Sequence, residues 1–104
     1  MRTHLDPAGM DDLCEALLSL KTKEETSNFL RDLCTIQELK ALSQRYQVAK
    51  LLHTSCRYAE IVEKTGASTA TISRVNRSLA MDGTGGYETV FNRLDIGTAE
   101  QTND

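Results

Sequence analysis

The sequence predicts an all-α protein of about six helices. Two observations support this fold class: apolar residues recur at three- and four-residue spacing through most of the chain, and capping residues precede several of these stretches. No stretch alternates apolar and polar residues in the manner of a β-strand. The 104 residues suffice for one domain. We expect it over residues 11–95, between a flexible N-terminal segment, residues 1–10, and a flexible tail, residues 96–104.

The first two predicted helices are short and amphipathic. Apolar residues between positions 13 and 20 have the spacing of one helix face, which predicts a helix of about ten residues that ends near Lys21. Thr22 is followed three residues later by Glu25, and this capping-box pattern predicts the start of a second helix. We expect the second helix to end near Cys34.

The third predicted helix is the longest. Thr35 and Glu38 repeat the capping-box pattern, and apolar residues then recur at three- and four-residue steps as far as Leu52. The second half of this helix is apolar on most sides, which is typical of a helix packed against several neighbours. We therefore expect it to form the centre of the fold.

Three further helices complete the chain. Residues 58–65 predict a short helix that ends at Gly66, and Ser68 is a good N-cap for a helix over residues 69–79. A last short helix is predicted over residues 87–94. A domain of this size buries little more than ~60% of the surface of its unfolded chain. Because aromatic residues are also few, we expect a second subunit to contribute to stability.

The charged residues are unevenly distributed. The chain has a net charge of −3, but residues 1–39 carry −4, residues 40–80 carry +5 and residues 81–104 carry −4. Basic residues of the middle segment could simply coat solvated helix faces. They could also form a positive surface for nucleic acid. The basic residues concerned are Lys40, Arg45, Lys50, Arg57, Lys64, Arg74 and Arg77.

The segment 58–79 has the order helix, glycine-containing turn, helix, which is the pattern of a helix-turn-helix. Gly66 can adopt the left-handed conformation that closes the first helix. The second helix is then left protruding, with dimensions that fit the major groove of B-DNA. Four apolar residues are expected to hold the two helices together: Ile61, Ala67, Ile72 and Val75.

The second helix of this pair carries small and cationic residues suited to DNA. Small residues at its start allow a close approach to base edges and phosphates, and the unpaired N–H groups there can bind an anion. Basic and amide side chains further along can reach bases or phosphates. The candidates are Ser68, Thr69, Ala70, Thr71, Arg74, Asn76 and Arg77.

The segment 65–79, with the sequence TGASTATISRVNRSL, resembles the Trp-repressor superfamily, and within it the YerC/YecD-type Trp-repressor-related branch. The upstream segment 33–46, LCTIQELKALSQRY, resembles the central helix of that family, and the likeness covers about residues 10–95. The resemblance implies an intertwined, all-helical homodimer that contacts a near-palindromic operator. Its two DNA-reading helices would lie one DNA turn apart, ~34–36 Å.

The resemblance also implies roles for individual residues. Carried over by position, the residues that face the major groove would be Thr69, Ala70, Thr71 and Ser73. Three further residues are candidates for phosphate contacts because of their charge or polarity: Arg57, Tyr58 and Lys50. Ala59 stands where the classical repressor has an arginine that reads a base, so its operator sequence is not carried over.

The tryptophan pocket of the classical repressor is matched only in part. Arg45 and Arg74 match the two arginines that flank the indole ring, while Thr35 and Ser78 match polar positions of the pocket. Val75, however, stands where the classical repressor has glycine, and its isopropyl group would fill space that the indole needs. We therefore expect no cofactor, and tryptophan is not assigned as an effector.

The sequence carries no pattern that indicates an enzyme or a metal site. His53 and Cys56 are spaced i, i+3, but no second histidine is nearby, and the glycines after residue 82 lack the strand and the lysine of a phosphate loop. No apolar run approaches the length of a membrane span, and the first residues lack the apolar stretch of a secretory signal. We expect a cytoplasmic protein.

These observations predict a homodimeric, sequence-specific DNA-binding transcriptional regulator, such as a repressor, whose partner is a double-stranded DNA operator. One alternative is a protein-interaction module of the antitoxin or adaptor type that uses its apolar helices to hold another protein. The other is a repressor that senses an amino acid or another metabolite in a pocket near Arg45 and Arg74.

Overall fold

The computed structural model describes residues 5–97 and confirms the all-α prediction. Its six α-helices and one π-helical segment follow each other without a strand in that part of the chain. In chain order they are α1 (Pro7–Leu18), α2 (Lys23–Leu33), α3 (Ile36–His53), α4 (Tyr58–Thr65), α5 (Thr69–Arg77), the π-helical segment (Ser78–Asp82) and α6 (Gly86–Arg93). None of these helices is long and apolar enough to cross a membrane.

The first helix begins earlier than predicted. Its start is set by Asp6 and Pro7: the Asp6 carboxylate accepts a hydrogen bond from the Gly9 N–H at 3.1 Å, and Pro7 occupies the first helical position. The segment predicted to be flexible, residues 1–10, therefore includes the first helical turn. Residues 1–4 of that segment lie outside the described residues.

The capping box predicted for α3 is confirmed, and the Thr22 cap predicted for α2 is confirmed with its return bond one residue earlier, at Lys21. The Thr22 hydroxyl accepts from the Glu25 N–H at 3.0 Å, and the Glu25 carboxylate accepts from the Lys21 N–H at 2.8 Å. Thr35 and Glu38 exchange both bonds of the motif, at 3.1 and 2.8 Å. These contacts satisfy N–H groups that have no partner within the helix.

By its contacts the chain divides into two units, residues 1–39 and residues 40–104. Between residues 5 and 39 no side chain is buried. The second unit has a hydrophobic core to which the second half of α3 contributes, as the sequence predicted for the longest helix. The buried residues of this core are Val48, Ala49, Ile61, Ala67, Ile72, Val75 and Phe91.

Phe91 of α6 is the largest side chain in this core and is only 1% exposed. Its ring lies 4.6 Å from the ring of His53 and 6.0 Å from the rings of Tyr46 and Tyr87, measured between centroids. These separations are typical of favourable aromatic pairs. Phe91 therefore attaches α6 to α3 through an aromatic cluster.

The helix predicted over residues 69–79 continues past Arg77 in π-helical geometry as far as Asp82. It ends at Gly83, where a Cβ atom would collide with the backbone carbonyl of Ser78. Glycine is therefore required at this position because of close backbone approach and not because of a positive φ angle.

Replacing Gly83 with alanine should destabilise the second unit by about 2 kcal/mol, since the backbone carbonyl of Ser78 cannot move aside as a flexible side chain would. The matched control is Gly86→Ala, because a Cβ atom at Gly86 would meet nothing within 4 Å. Urea unfolding of both variants measures the difference. Equal stability of the two variants would contradict the conclusion that close backbone approach requires glycine at position 83.

The start of the segment predicted as a flexible tail, residues 96–104, is attached to the core. Ile96 is half-buried and packs against the core cluster, and its carbonyl accepts a hydrogen bond from the His53 ring at 3.1 Å. Residues 98–104 lie outside the described residues.

Candidate nucleic-acid interface

The turn between α4 and α5 has the geometry that the sequence predicted. Gly66 adopts a left-handed conformation, with φ 74° and ψ 6°, and its N–H donates to the carbonyl of Val62 at 2.8 Å. A Cβ atom at Gly66 would meet nothing within 4 Å. Glycine is therefore favoured here because of the backbone conformation and not because of space.

The inner sides of α4 and α5 are packed together by the four apolar residues predicted for this role. Each is at most 2% exposed, and all belong to the core cluster of the second unit: Ile61, Ala67, Ile72 and Val75. Because Ile72 and Val75 are three residues apart, they lie on the same side of α5. The remaining sides of α5 are thereby available to solvent.

The start of α5 is capped by Ser68, as predicted. The Ser68 hydroxyl oxygen accepts from the Thr71 N–H at 3.1 Å and lies 3.1 Å from the Thr71 hydroxyl, to which it donates. The N–H groups of Thr69 and Ala70 have no hydrogen-bond acceptor among residues 5–97. The first turn therefore offers two exposed donors together with the positive end of the helix dipole.

We call the solvent-facing side of this helix the outer face of α5. It contains small hydroxyl residues near the N-terminus and two guanidinium groups near the C-terminus. Thr71 is half-buried, and the other members are exposed: Thr69, Ala70, Ser73, Arg74, Asn76 and Arg77. The face carries no acidic side chain.

Arg77 forms an ion pair that the sequence analysis did not anticipate. Its guanidinium lies 3.1 Å from the carboxylate of Asp82, and the two side chains are 73% and 55% exposed. Residues five apart do not share a face of an α-helix, but the π-helical segment brings them together. The sequence predicted a helix that ends at residue 79, before Asp82, and therefore did not indicate this pair. An exposed pair of this kind contributes only about 0–1 kcal/mol.

The three residues predicted as phosphate contacts are placed differently from one another. Arg57 and Tyr58 are exposed at the start of α4, where the Arg57 N–H donates to the Glu60 carboxylate at 3.1 Å. Lys50 is half-buried on α3, with its ammonium nitrogen 5.8 Å from the centroid of the Tyr46 ring. The Lys50 charge is therefore partly engaged in a cation–π contact.

The residues matched to the tryptophan pocket differ in their exposure. Arg45, Arg74 and Thr35 are exposed, while Ser78 is half-buried. Val75 is 2% exposed, and its side chain is part of the core. Its isopropyl group packs with the other buried residues of the second unit.

A different concave feature, an open groove of about 590 Å³, lies beside the π-helical segment. Apolar side chains line it from three elements, among them Tyr46, Leu79, Tyr87 and Val90, and Asp82 and Glu88 add negative charge. Of the residues matched to the tryptophan pocket, only Ser78 contributes to it. This groove was not among the features predicted from the sequence.

Side chains that could ligate a metal ion do not cluster in the part of the chain that the structure describes. No three His, Cys, Asp or Glu side chains come together within the described part of the chain. The three cysteines are free thiols, with Cys14 exposed and Cys34 and Cys56 half-buried.

Comparison with known proteins gives a consistent set of similarities. The model of the family described as Trp repressor protein matches residues 8–95. The Bacillus subtilis (strain 168) protein called uncharacterized protein YerC is 47% identical over 85 residues, which cover 82% of this chain and 81% of that protein.

Two crystal structures share the architecture. A TrpR-like protein from Eubacterium eligens ATCC 27750 is 53% identical, with a TM-score of 0.81 over 86% of this chain and 91% of that one. A candidate Trp repressor from Staphylococcus aureus is 47% identical, with a TM-score of 0.81 over 86% of this chain and 88% of that one.

Proposed function

The chain belongs to the Trp repressor family, and from this premise we propose that it is a homodimeric, sequence-specific DNA-binding transcriptional regulator without catalytic activity. It acts in the cytoplasm on a double-stranded DNA operator. The observation that carries the proposal is the outer face of α5, a polar and cationic surface on a helix whose opposite side is buried in the core.

The division of the outer face of α5 supports separate roles along the helix. Near its start, Thr69, Ala70, Thr71 and Ser73 offer hydroxyl and methyl groups of the size that base edges in the major groove accept. The N–H groups of Thr69 and Ala70 provide a position for a phosphate at the helix N-terminus. Further along, the helix binds bases or the DNA backbone through Arg74, Asn76 and Arg77.

The distribution of charged residues also supports the outer face of α5 as the DNA-binding surface. The segment 40–80 has a net charge of +5 although the whole chain has −3, and Arg57 and Tyr58 are exposed at the start of α4. Positive charge on the DNA-facing elements is what neutralisation of phosphates requires.

The proposed function is tested by the salt dependence of DNA binding. A duplex is first selected by the wild-type protein from a random-sequence pool, and its affinity is then measured by fluorescence anisotropy between about 50 and 200 mM salt. If the dimer contacts about six or more phosphates, the affinity should fall about 10³-fold or more over this range. A flat response, or a pool without an enriched sequence, would refute the proposal.

Exposed apolar side chains in the first unit support the homodimer. Leu18 is 85% exposed, and Met10, Leu17, Leu33 and Ile36 are each at least 41% exposed. Large apolar patches on a protein surface commonly mark sites that another chain covers. We propose that a second copy of the chain covers them.

The proposed homodimer can be tested by measuring the mass of the protein in solution. Light scattering of the purified protein should give twice the chain mass of 11.5 kDa, because the apolar surface of the first unit becomes buried only in the dimer. Replacing Leu18 with glutamate should shift the mass towards the monomer at micromolar concentration, whereas glutamate at the exposed, polar Ser27 should not. A monomeric wild-type protein would contradict the proposal.

Tryptophan is not included among the proposed ligands. Val75 fills core space, and Arg45 and Arg74 are exposed without lining the groove beside the π-helical segment. We therefore assign no ligand to Thr35 or Arg45.

A further inference from the structure

A side chain of α3 is hydrogen-bonded to the turn of the helix-turn-helix. The Gln44 amide nitrogen donates to the backbone carbonyl of Thr65 at 3.2 Å, and Gln44 is half-buried. Thr65 is the last residue of α4, where carbonyl groups lack partners within the helix. This contact satisfies such a carbonyl and joins two elements that are 21 residues apart in the chain.

The Thr65 side chain continues this connection across the turn. Its hydroxyl donates to the carbonyl of Ile61 at 2.7 Å and accepts from the N–H of Ala67 at 3.1 Å. The hydroxyl is thus used as both donor and acceptor. One set of three hydrogen bonds therefore connects α3, the end of α4 and the residue directly before the Ser68 cap of α5.

We propose that Gln44 and Thr65 are positioning residues that set the direction of α5 and thereby the sequence specificity of the DNA binding proposed above, on which this inference rests. The apolar contacts of Ile72 and Val75 hold α5 against the core, but hydrophobic burial is non-directional. Hydrogen bonds depend steeply on distance and angle. The connection through Gln44 and Thr65 supplies the directional restraint at the base of α5.

A small change of direction is enough to affect base recognition. The nine residues of α5 span about 13 Å. Ser73, the last of the proposed base-facing residues, lies about 6 Å along the helix axis from its start, so a tilt of roughly 10° at the turn would displace it by about 1 Å, which exceeds the spread of distances over which a hydrogen bond to a base persists. Attraction between arginines and phosphates decreases much more gradually with distance. Removal of the restraint should thus reduce specific binding and leave non-specific binding nearly unchanged.

Two pairs of variants test this proposal. Thr65→Val removes the hydroxyl at nearly constant volume, and Thr65→Ser retains it as the rescuing control. Gln44→Met removes the amide donor without adding charge, and Gln47→Met makes the same replacement at an exposed position on the same helix. Affinity is measured for the duplex selected by the wild-type protein and for a duplex of random sequence, together with exchange of the Ala67 amide hydrogen by NMR.

Thr65→Val and Gln44→Met should each weaken binding of the selected duplex about tenfold, the size of one or two net hydrogen bonds per dimer, and binding of the random duplex less than about twofold. Ala67 amide exchange should accelerate in Thr65→Val and remain as in the wild type in Thr65→Ser. Wild-type specificity in both test variants would overturn this inference alone. A wild-type protein that selects no duplex would overturn both the inference and the proposed function.

Discussion

Replacing Phe91 with alanine should lower the free energy of unfolding by about 3–5 kcal/mol, the range for deleting a buried aromatic side chain. The residue is 1% exposed and contacts the rings of Tyr46, His53 and Tyr87. Alanine would leave a cavity between α3 and α6 and remove these aromatic interactions. Because small domains have a total stability of only about 5–15 kcal/mol, the variant should retain little of it.

The adjacent Val90 provides the matched control. It lies on the same helix but is 41% exposed, so Val90→Ala should cost about 1 kcal/mol or less. Urea unfolding followed by circular dichroism measures both variants. If Phe91→Ala were no less stable than Val90→Ala, the aromatic cluster would not be the anchor of α6.

Substitutions on the outer face of α5 should separate affinity from specificity. Arg77→Ala should weaken binding of every duplex to a similar extent and reduce the slope of log affinity against log salt by about 1 for each phosphate that the arginine neutralises. Thr71→Ala should instead weaken binding of the selected duplex by about 1–3 kcal/mol while leaving a random duplex unaffected. Anisotropy titrations with both duplexes at several salt concentrations distinguish these patterns.

The ion pair of Arg77 with Asp82 provides a control in which DNA binding should become stronger instead of weaker. Asp82→Asn releases the guanidinium from a carboxylate at 3.1 Å and removes a negative charge close to the outer face of α5. Binding of all duplexes should therefore become stronger, with a steeper salt dependence. If Thr71→Ala and Arg77→Ala reduced discrimination to the same degree, the proposed division between base-reading and phosphate-binding residues would be wrong.

Several features of the fold could be predicted from the sequence because each depends on residues that are close together in the chain. Caps at Thr22, Thr35 and Ser68 act over three or four residues, and each was confirmed by a hydrogen bond. The glycine turn and the apolar residues that join α4 to α5 follow from helix periodicity. The start of α1 lies before the residue that the apolar pattern predicts, because the Asp6 cap and Pro7 begin the helix ahead of its apolar residues.

The roles proposed for the site residues were inferred from the composition of α5 together with the family resemblance. The structure adds their exposure, and it changes the interpretation of two of them. Arg77 is paired with Asp82, and Lys50 lies over the Tyr46 ring. Both contacts depend on which helix faces come together, and that information is not contained in local spacing.

Local patterns in the chain were sufficient to indicate the caps of α2, α3 and α5, the pair of helices that forms the helix-turn-helix and the polar side of α5, since these properties depend on residues within one or two turns of each other. The three-dimensional arrangement was needed to find that Phe91 organises the contact between α3 and α6, and that Gln44 is bonded to the carbonyl of Thr65. The second of these contacts joins residues 21 positions apart, and many alternative pairings of the same side chains are compatible with the same helices. Packing of the core together with these hydrogen bonds selects one of them.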